Sequence, residues 1–292
     1  MADEHKEIDA LTGTATTGHE WDGLRELNTP LPRWWLWLFY ITIVWSIGYW
    51  IVYPAWPLIN NSTQGVFGWH TRSAIVTDLD ELKRQRGPMT ERLANATLAE
   101  IVSDPQLLDF ARAQGRVAFA DNCAPCHGAG GGGAKGYPNL NDDEWLWGGK
   151  LADIEQTIRH GARAGDDKGR QGTMPAFGRD GILKPSEISA SADYVRSLAG
   201  LAVEKDADLA LGKKVFDANC AVCHGETGKG NRELGAPNLT DKIWLYGADK
   251  TTIVQGIQNG RGATMPAWNS RLSDPTIKAL TVYVYSFGGG EK

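Results

Sequence analysis

"NCAPCHG" at residues 122–128 and "NCAVCHG" at 219–225 use all four cysteines of a 292-residue chain. Two cysteines three apart followed at once by histidine form the C-x-x-C-H pattern, in which both thiols bond to one haem and the imidazole is delivered to its iron. Cys123, Cys126 and His127 make one such unit, and Cys220, Cys223 and His224 make the other. A thioredoxin-like pair would sit in a βαβ pattern and leave the histidine without a task. Paired zinc knuckles would be separated by about 15 to 20 residues, against 97 here (220 − 123). Two structural disulfides would not demand that both pairs share flanking Asn, His and Gly.

Outward from the cysteines the chain is two copies of one plan. Gly115 answers Gly212, Phe119 answers Phe216, Trp145 answers Trp244, Gly161 answers Gly260 and Met174 answers Met265. Repeats of about 90 to 100 residues mean tandem domains rather than a solenoid, here 108–203 and 204–292. Apolar residues recur at helical spacing before the cysteines, after the tryptophan and in the last segment of each copy: Ile188, Ala192, Val195 and Leu198, then Ile277, Leu280, Val284 and Phe287. The expected domains are mainly α, with long loops and almost no strand.

Each iron needs a ligand on its far side. Of four methionines, Met1 starts the chain, Met89 falls in a tether, and Met174 and Met265 both stand in "TMPA", 47 (174 − 127) and 41 (265 − 224) residues beyond the histidines. A methionine is more often core filler, but the shared setting points to axial ligation. His/Met ligation raises the potential and fills both axial sites, which suits electron transfer. The expected metal ligands are His127, Met174, His224 and Met265, with no catalytic residues. His160 is a weaker rival because Asn259 replaces it in the second copy; His5, His19 and His70 lie outside the repeats. Pro138 and Pro237, both in "PNL", can offer a carbonyl to the histidine Nδ1–H, or be ordinary loop prolines. Trp145 and Trp244 can wall a haem, donate to a propionate or be plain core. The run "GAGGGGAKG", 128–136, follows no strand and lacks a Gly-Lys-Ser/Thr ending. It reads as a flexible loop rather than a phosphate site.

Trp34–Tyr53, "WWLWLFYITIVWSIGYWIVY", carries no charge over 20 residues. As a helix it spans roughly 30 Å, a bilayer core, with Trp34, Trp35 and Trp37 at one end and Tyr49, Trp50, Tyr53 and Trp56 at the other as interfacial belts. A signal peptide would need a basic start and a small-residue cleavage site; instead an acidic tail, 1–33, precedes it and "YPAWP" follows. A polar tail of this kind is often mobile until a partner ties it down. Arg25 and Arg33 before the span, against Arg72 after it, lean towards an N-terminus inside. Residues 54–107 form a tether punctuated by Pro54, Pro57 and Gly87-Pro88. The formal net charge is −5 and both repeats are nearly neutral, so no basic face argues for nucleic acid.

The haem repeats resemble class I cytochrome c folds. His19–Pro57, "HEWDGLRELNTPLPRWWLWLFYITIVWSIGYWIVYPAWP", closely resembles the anchor of the dihaem P subunit (subunit III) of cbb3-type cytochrome c oxidases. That resemblance implies a bacterial inner-membrane protein with one N-terminal transmembrane helix, a cytoplasmic tail and two periplasmic cytochrome c domains holding two covalent haem c groups. It further implies a catalytic subunit with haem b, haem b3 and copper, a monohaem cytochrome c subunit, and a soluble cytochrome c donor. Electrons would pass through the haems to the subunit that reduces oxygen to water while protons are pumped. Two other functions fit the haem repeats: electron transfer for a periplasmic dehydrogenase or quinol-oxidising complex, and, with an open iron site, a dihaem peroxidase or gas sensor.

Overall fold

The computed structural model describes residues 7–289 and Glu291; Met1 and His5 lie outside these. The chain forms two compact bodies, one up to Arg84 and one from Gln85 onward.

In the first body, β1 (Thr16–Trp21) and β2 (Leu24–Leu27) pair antiparallel, with Trp21 opposite Leu24. The two residues between them, Asp22 and Gly23, have φ of 51° and 85°, the conformation a two-residue primed turn requires and an Asp-Gly pair readily adopts. Part of the acidic tail is therefore a hairpin. The long apolar helix α1 runs Arg33–Val52 with no buried residue and a mean hydropathy of 1.6. Side chains that are apolar on every face suit lipid better than water. Beyond it the chain turns back, with Val66 N–H donating to Ile51 O and Tyr53 meeting Phe67 and Trp69 edge to face.

Helix α2 (Thr71–Asn95) continues through Gly87-Pro88, where the sequence suggests a break. Its buried end explains the persistence. Leu93 packs with Ile101 of α3 (Leu98–Ser103) and with Leu107 and Ala111 of α4 (Pro105–Asn122), and Arg92 pairs with Asp104 at 2.6 Å.

The remaining helices are α5 (Ala124–His127), α6 (Leu151–His160), α7 (Pro185–Leu198), α8 (Leu209–Asn219), α9 (Ala221–His224), α10 (Lys250–Asn259) and α11 (Asp274–Tyr285). They form two lobes that do not coincide with the two repeats. A Cβ on Gly115 of α4 would lie 2.3 Å from Ala279 O and 2.6 Å from Tyr283 Cβ, both on α11. A Cβ on Gly212 of α8 would lie 2.3 Å from Ala190 O and 2.8 Å from Tyr194 Cβ, both on α7. The ring of Phe119 meets Tyr283 at 5.6 Å, and Phe216 meets Tyr194 at 5.4 Å. Each haem-motif helix thus crosses the final helix of the other repeat. The exchange takes place in the loops after α6 and α10, where Ala162 and Met265 exchange both backbone bonds at 3.0 Å, and Met174 and Arg261 do the same at 2.9 and 3.1 Å.

The lobes are consequently nested. Lobe 1 comprises α4–α6 and, after a gap, Met265 to α11. Lobe 2 runs without interruption from Met174 through α7, α8, α9 and α10, with its closing helix placed before its haem-motif helix. The core of lobe 1 gathers Phe119, Ile154, Ile158, Ile277, Leu280 and Val284; that of lobe 2 gathers Leu183, Ile188, Ala192, Val215 and Ile257.

Candidate haem sites

Both C-x-x-C-H segments fold identically because the same backbone bonds recur. Asn122 Nδ2 donates to Ala118 O at 2.8 Å and Asn219 Nδ2 to Val215 O at 3.0 Å, closing the preceding helices. His127 N–H donates to Cys123 O, and His224 N–H to Cys220 O, each at 2.9 Å. That single turn lines up the two cysteines and the histidine, and Gly128 and Gly225 end it at φ of 78° and 77°, where a side chain would be strained.

The glycine run is tightly bonded. Gly133 N–H donates to His127 O at 2.7 Å and Leu140 N–H to Gly131 O at 2.6 Å, folding the loop back beneath the histidine. There Pro138 O lies 3.0 Å from His127 Nδ1; in lobe 2, Pro237 O lies 2.9 Å from His224 Nδ1. A carbonyl acceptor holds the proton on Nδ1 and leaves Nε2 free as a ligand. Burial lowers the His224 pKa, against the opposing Pro237 bond, so the imidazole favours its neutral, ligating form. Burial, with a smaller push from the neighbouring thiol, raises Cys123 and Cys220 to about 11. The two cysteine pairs stand in different lobes, so they do not form one four-cysteine zinc site.

A cavity of about 200 Å³ opens beside the first motif. Cys123, Cys126, His127, Trp145, Ile154 and Met265 are among the residues that line it. Chain order suggests Met174 for this place, but the exchange of loops brings Met265 instead. Met174 packs on the lobe 2 core, with Phe177 and Leu211. His127 thus shares a cavity with Met265, while Met174 lies in the lobe that carries His224. His160 is turned to other partners: its Nδ1 lies 3.0 Å from Asp166 Oδ2, which also accepts from Asn269 Nδ2 at 2.9 Å. His19 and His70 lie in the first body.

The tryptophans differ. Trp145 donates from Nε1 to Gly289 O at 2.6 Å, whereas Trp244 Nε1 is buried with no acceptor among the described residues. Trp244 lines a wider cleft of about 990 Å³ that also touches Pro138, Trp145 and Pro237. A buried indole N–H without a partner is costly, and a haem propionate is an acceptor that would satisfy it. Thiols, oriented imidazole, thioether and orphan donor together fit covalent haem. Sequence reasoning missed Arg163 and Tyr246, which line the first cavity; Arg163 stands two residues after Gly161, and its φ of 55° is visible only in the fold.

Comparison with known families matches residues 13–60 to the N-terminal domain of cytochrome oxidase-cbb3, FixP, residues 112–199 to cytochrome c, and residues 207–284 to cytochrome c oxidase, cbb3-type, subunit III. The chain is 62% identical to the cbb3-type cytochrome c oxidase subunit FixP of Azorhizobium caulinodans, over 98% of this chain and 97% of that one. It is 59% identical to FixP of a Bradyrhizobium species over the full length of both. It is 51% identical to the subunit CcoP of Azospirillum brasilense, over 98% and 99% of the two chains.

Proposed function

The chain belongs to the FixP/CcoP family, the electron-transferring cytochrome c subunit of cbb3-type oxidases, and from that premise we propose that it is a two-haem relay with axial ligands crossed between its repeats. Cys123 and Cys126 hold one haem c, ligated by His127 and Met265. Cys220 and Cys223 hold the other, ligated by His224 and Met174. The observation that carries this reading is the cavity shared by Cys123, Cys126, His127 and Met265.

Each haem, when bound, supplies an iron that accepts and gives up one electron. The chain's own residues set how it does so. Pro138 and Pro237 orient the imidazoles, the methionine sulfurs would hold each haem from the far side and raise its potential, and Phe119, Ile154 and Val284 line the first site with apolar surface. A histidine and a methionine held towards each haem would leave no open iron position for a substrate. The relay reading is therefore favoured over a peroxidase or gas sensor.

The helix α1 anchors the chain in the inner membrane with the tail in the cytoplasm and the haem lobes in the periplasm, a direction supported by Arg25 and Arg33. A soluble cytochrome c is the donor. The acceptor is the oxidase's catalytic subunit, carrying haem b, haem b3 and copper, beside a monohaem cytochrome c subunit; oxygen reduction and proton pumping belong there.

The test uses chains that retain a single haem. In the full chain carrying C220A and C223A, Met265→Ala should abolish the sulfur-to-iron absorption band and Met174→Ala should leave it. The reverse result would restore pairing within each repeat, and an unchanged band in both would overturn methionine ligation.

A further inference from the structure

Two nearly identical repeats present each haem-motif helix with two candidate closing helices, yet the fold admits one choice. The main packing device cannot discriminate, because Gly115 and Gly212 both receive a tyrosine, Tyr283 or Tyr194, after an alanine carbonyl. Other equivalent positions do differ, one contact above all.

Leu151 and Lys250 are the first residues of α6 and α10, two helices of ten residues each. Val282 and Asp193 are likewise equivalent, each preceding the tyrosine that covers the glycine. In lobe 2, Asp193 is 3% exposed and its Oδ2 lies 2.7 Å from Lys250 Nζ. Its Oδ1 has no hydrogen-bond partner among the described residues, so Lys250, whose amine Glu204 also approaches at 2.8 Å, is its compensation. In lobe 1, Val282 is 1% exposed within an apolar cluster against which Leu151 packs. Closing each lobe with its own repeat's helix would set the Asp193 carboxylate against Leu151 and leave Lys250 facing Val282. A buried charge without its partner is strongly unfavourable.

We infer that Asp193 and Lys250, set against Leu151 and Val282 at the same places, are positioning residues that decide which closing helix, and therefore which methionine, reaches each haem site. Two lesser differences act in the same direction. Arg159 on α6 pairs with Asp274 on α11 at 2.6 Å, where α10 and α7 carry Gln258 and Pro185. Lys278 of α11 donates to Ala94 O and Ala96 O at 2.6 and 2.9 Å, a tie to the end of α2 that Ser189 on α7 is too short to make.

The experiment moves the acid from one closing helix to the other, with D193V and V282D in the full chain within its oxidase complex. A zero-length carbodiimide crosslink reads the pairing without reference to haem. The native chain should link Lys250 to Asp193 on α7 and to Glu204, 2.8 Å from the same amine, and the variant should link Lys250 to the new carboxylate on α11. The ratio of crossed to uncrossed chains should change about tenfold or more, as expected when a buried charge loses its partner. In the C220A and C223A background the sulfur-to-iron band should then depend on Met174 instead of Met265. This second readout rests on the ligand assignment proposed above; a shifted crosslink with an unshifted band would fail that assignment and leave the selector standing. Adding L151K and K250L rebuilds the ion pair in lobe 1 and should restore the crossed arrangement. The inference is overturned if D193V and V282D leave the Lys250 crosslink absent from α11 in a folded chain. It is equally overturned if the double variant fails to fold and the quadruple variant does not recover.

Discussion

At Gly115 and Gly212 two helices approach so closely that a single methyl group has no place. Alanine in a helix is favoured over glycine by about 1 kcal/mol, while overpacking a close contact costs about 1–3 kcal/mol. A Cβ 2.3 Å from a backbone carbonyl puts these sites at the upper end, so the clash prevails. Gly212→Ala should lower the thermal midpoint of lobe 2, followed by circular dichroism, despite its better helix propensity. Asp274, at the start of α11, is a residue whose charge matters. Its partial burial raises its pKa, but Arg159 and then Lys278 outweigh this and hold it below the ordinary 3.8. A lowered pKa contributes stability that is complete above the unfolded value and is lost as pH falls through the folded one. Asp274→Asn should therefore flatten the acid limb of the stability curve below about pH 4 and change little at pH 7 beyond a constant offset. A urea titration at several pH values checks it.

Among the elements, α1 was the most legible: Trp34–Tyr53 from composition against Arg33–Val52 in the fold, because twenty uncharged residues leave no other face to read. Val44, near its middle, is 69% exposed. Val44→Arg should cost about 3 kcal/mol of insertion free energy and shift the chain from membrane pellet to supernatant after an alkaline wash. The Asp22-Gly23 hairpin was missed, since a four-residue strand gives too short a period to register among acidic residues. Helix α2 was also under-read: Gly87-Pro88 outweighs helical spacing locally, whereas the burial of Leu93 against α3 and α4 that sustains the helix is tertiary information.

For the whole molecule, the two repeats and their mainly helical build were legible, but the exchange of closing helices was not. Residue type reports what packs at a contact, and here both candidates offer the same tyrosine over the same glycine; Asp193 and Val282 do most to break the tie, and each looks ordinary until its neighbour is known. The crossing makes a simple prediction for the loop 199–208 between α7 and α8. Cutting it at an introduced protease site should leave the two pieces bound together on gel filtration, because α7 closes over α8 and α11 closes over α4. Separation into two cytochromes would contradict the nested fold. Nesting also imposes an order on biogenesis. A chain delivered from its N-terminus has all of lobe 2 by Asn259, while lobe 1 remains open until α11, near the last residues, arrives. Residues 105–162 must wait, half-built, through the synthesis of about a hundred more, so the site first in sequence is the last to close, and a truncation at the C-terminus would strike the earlier haem.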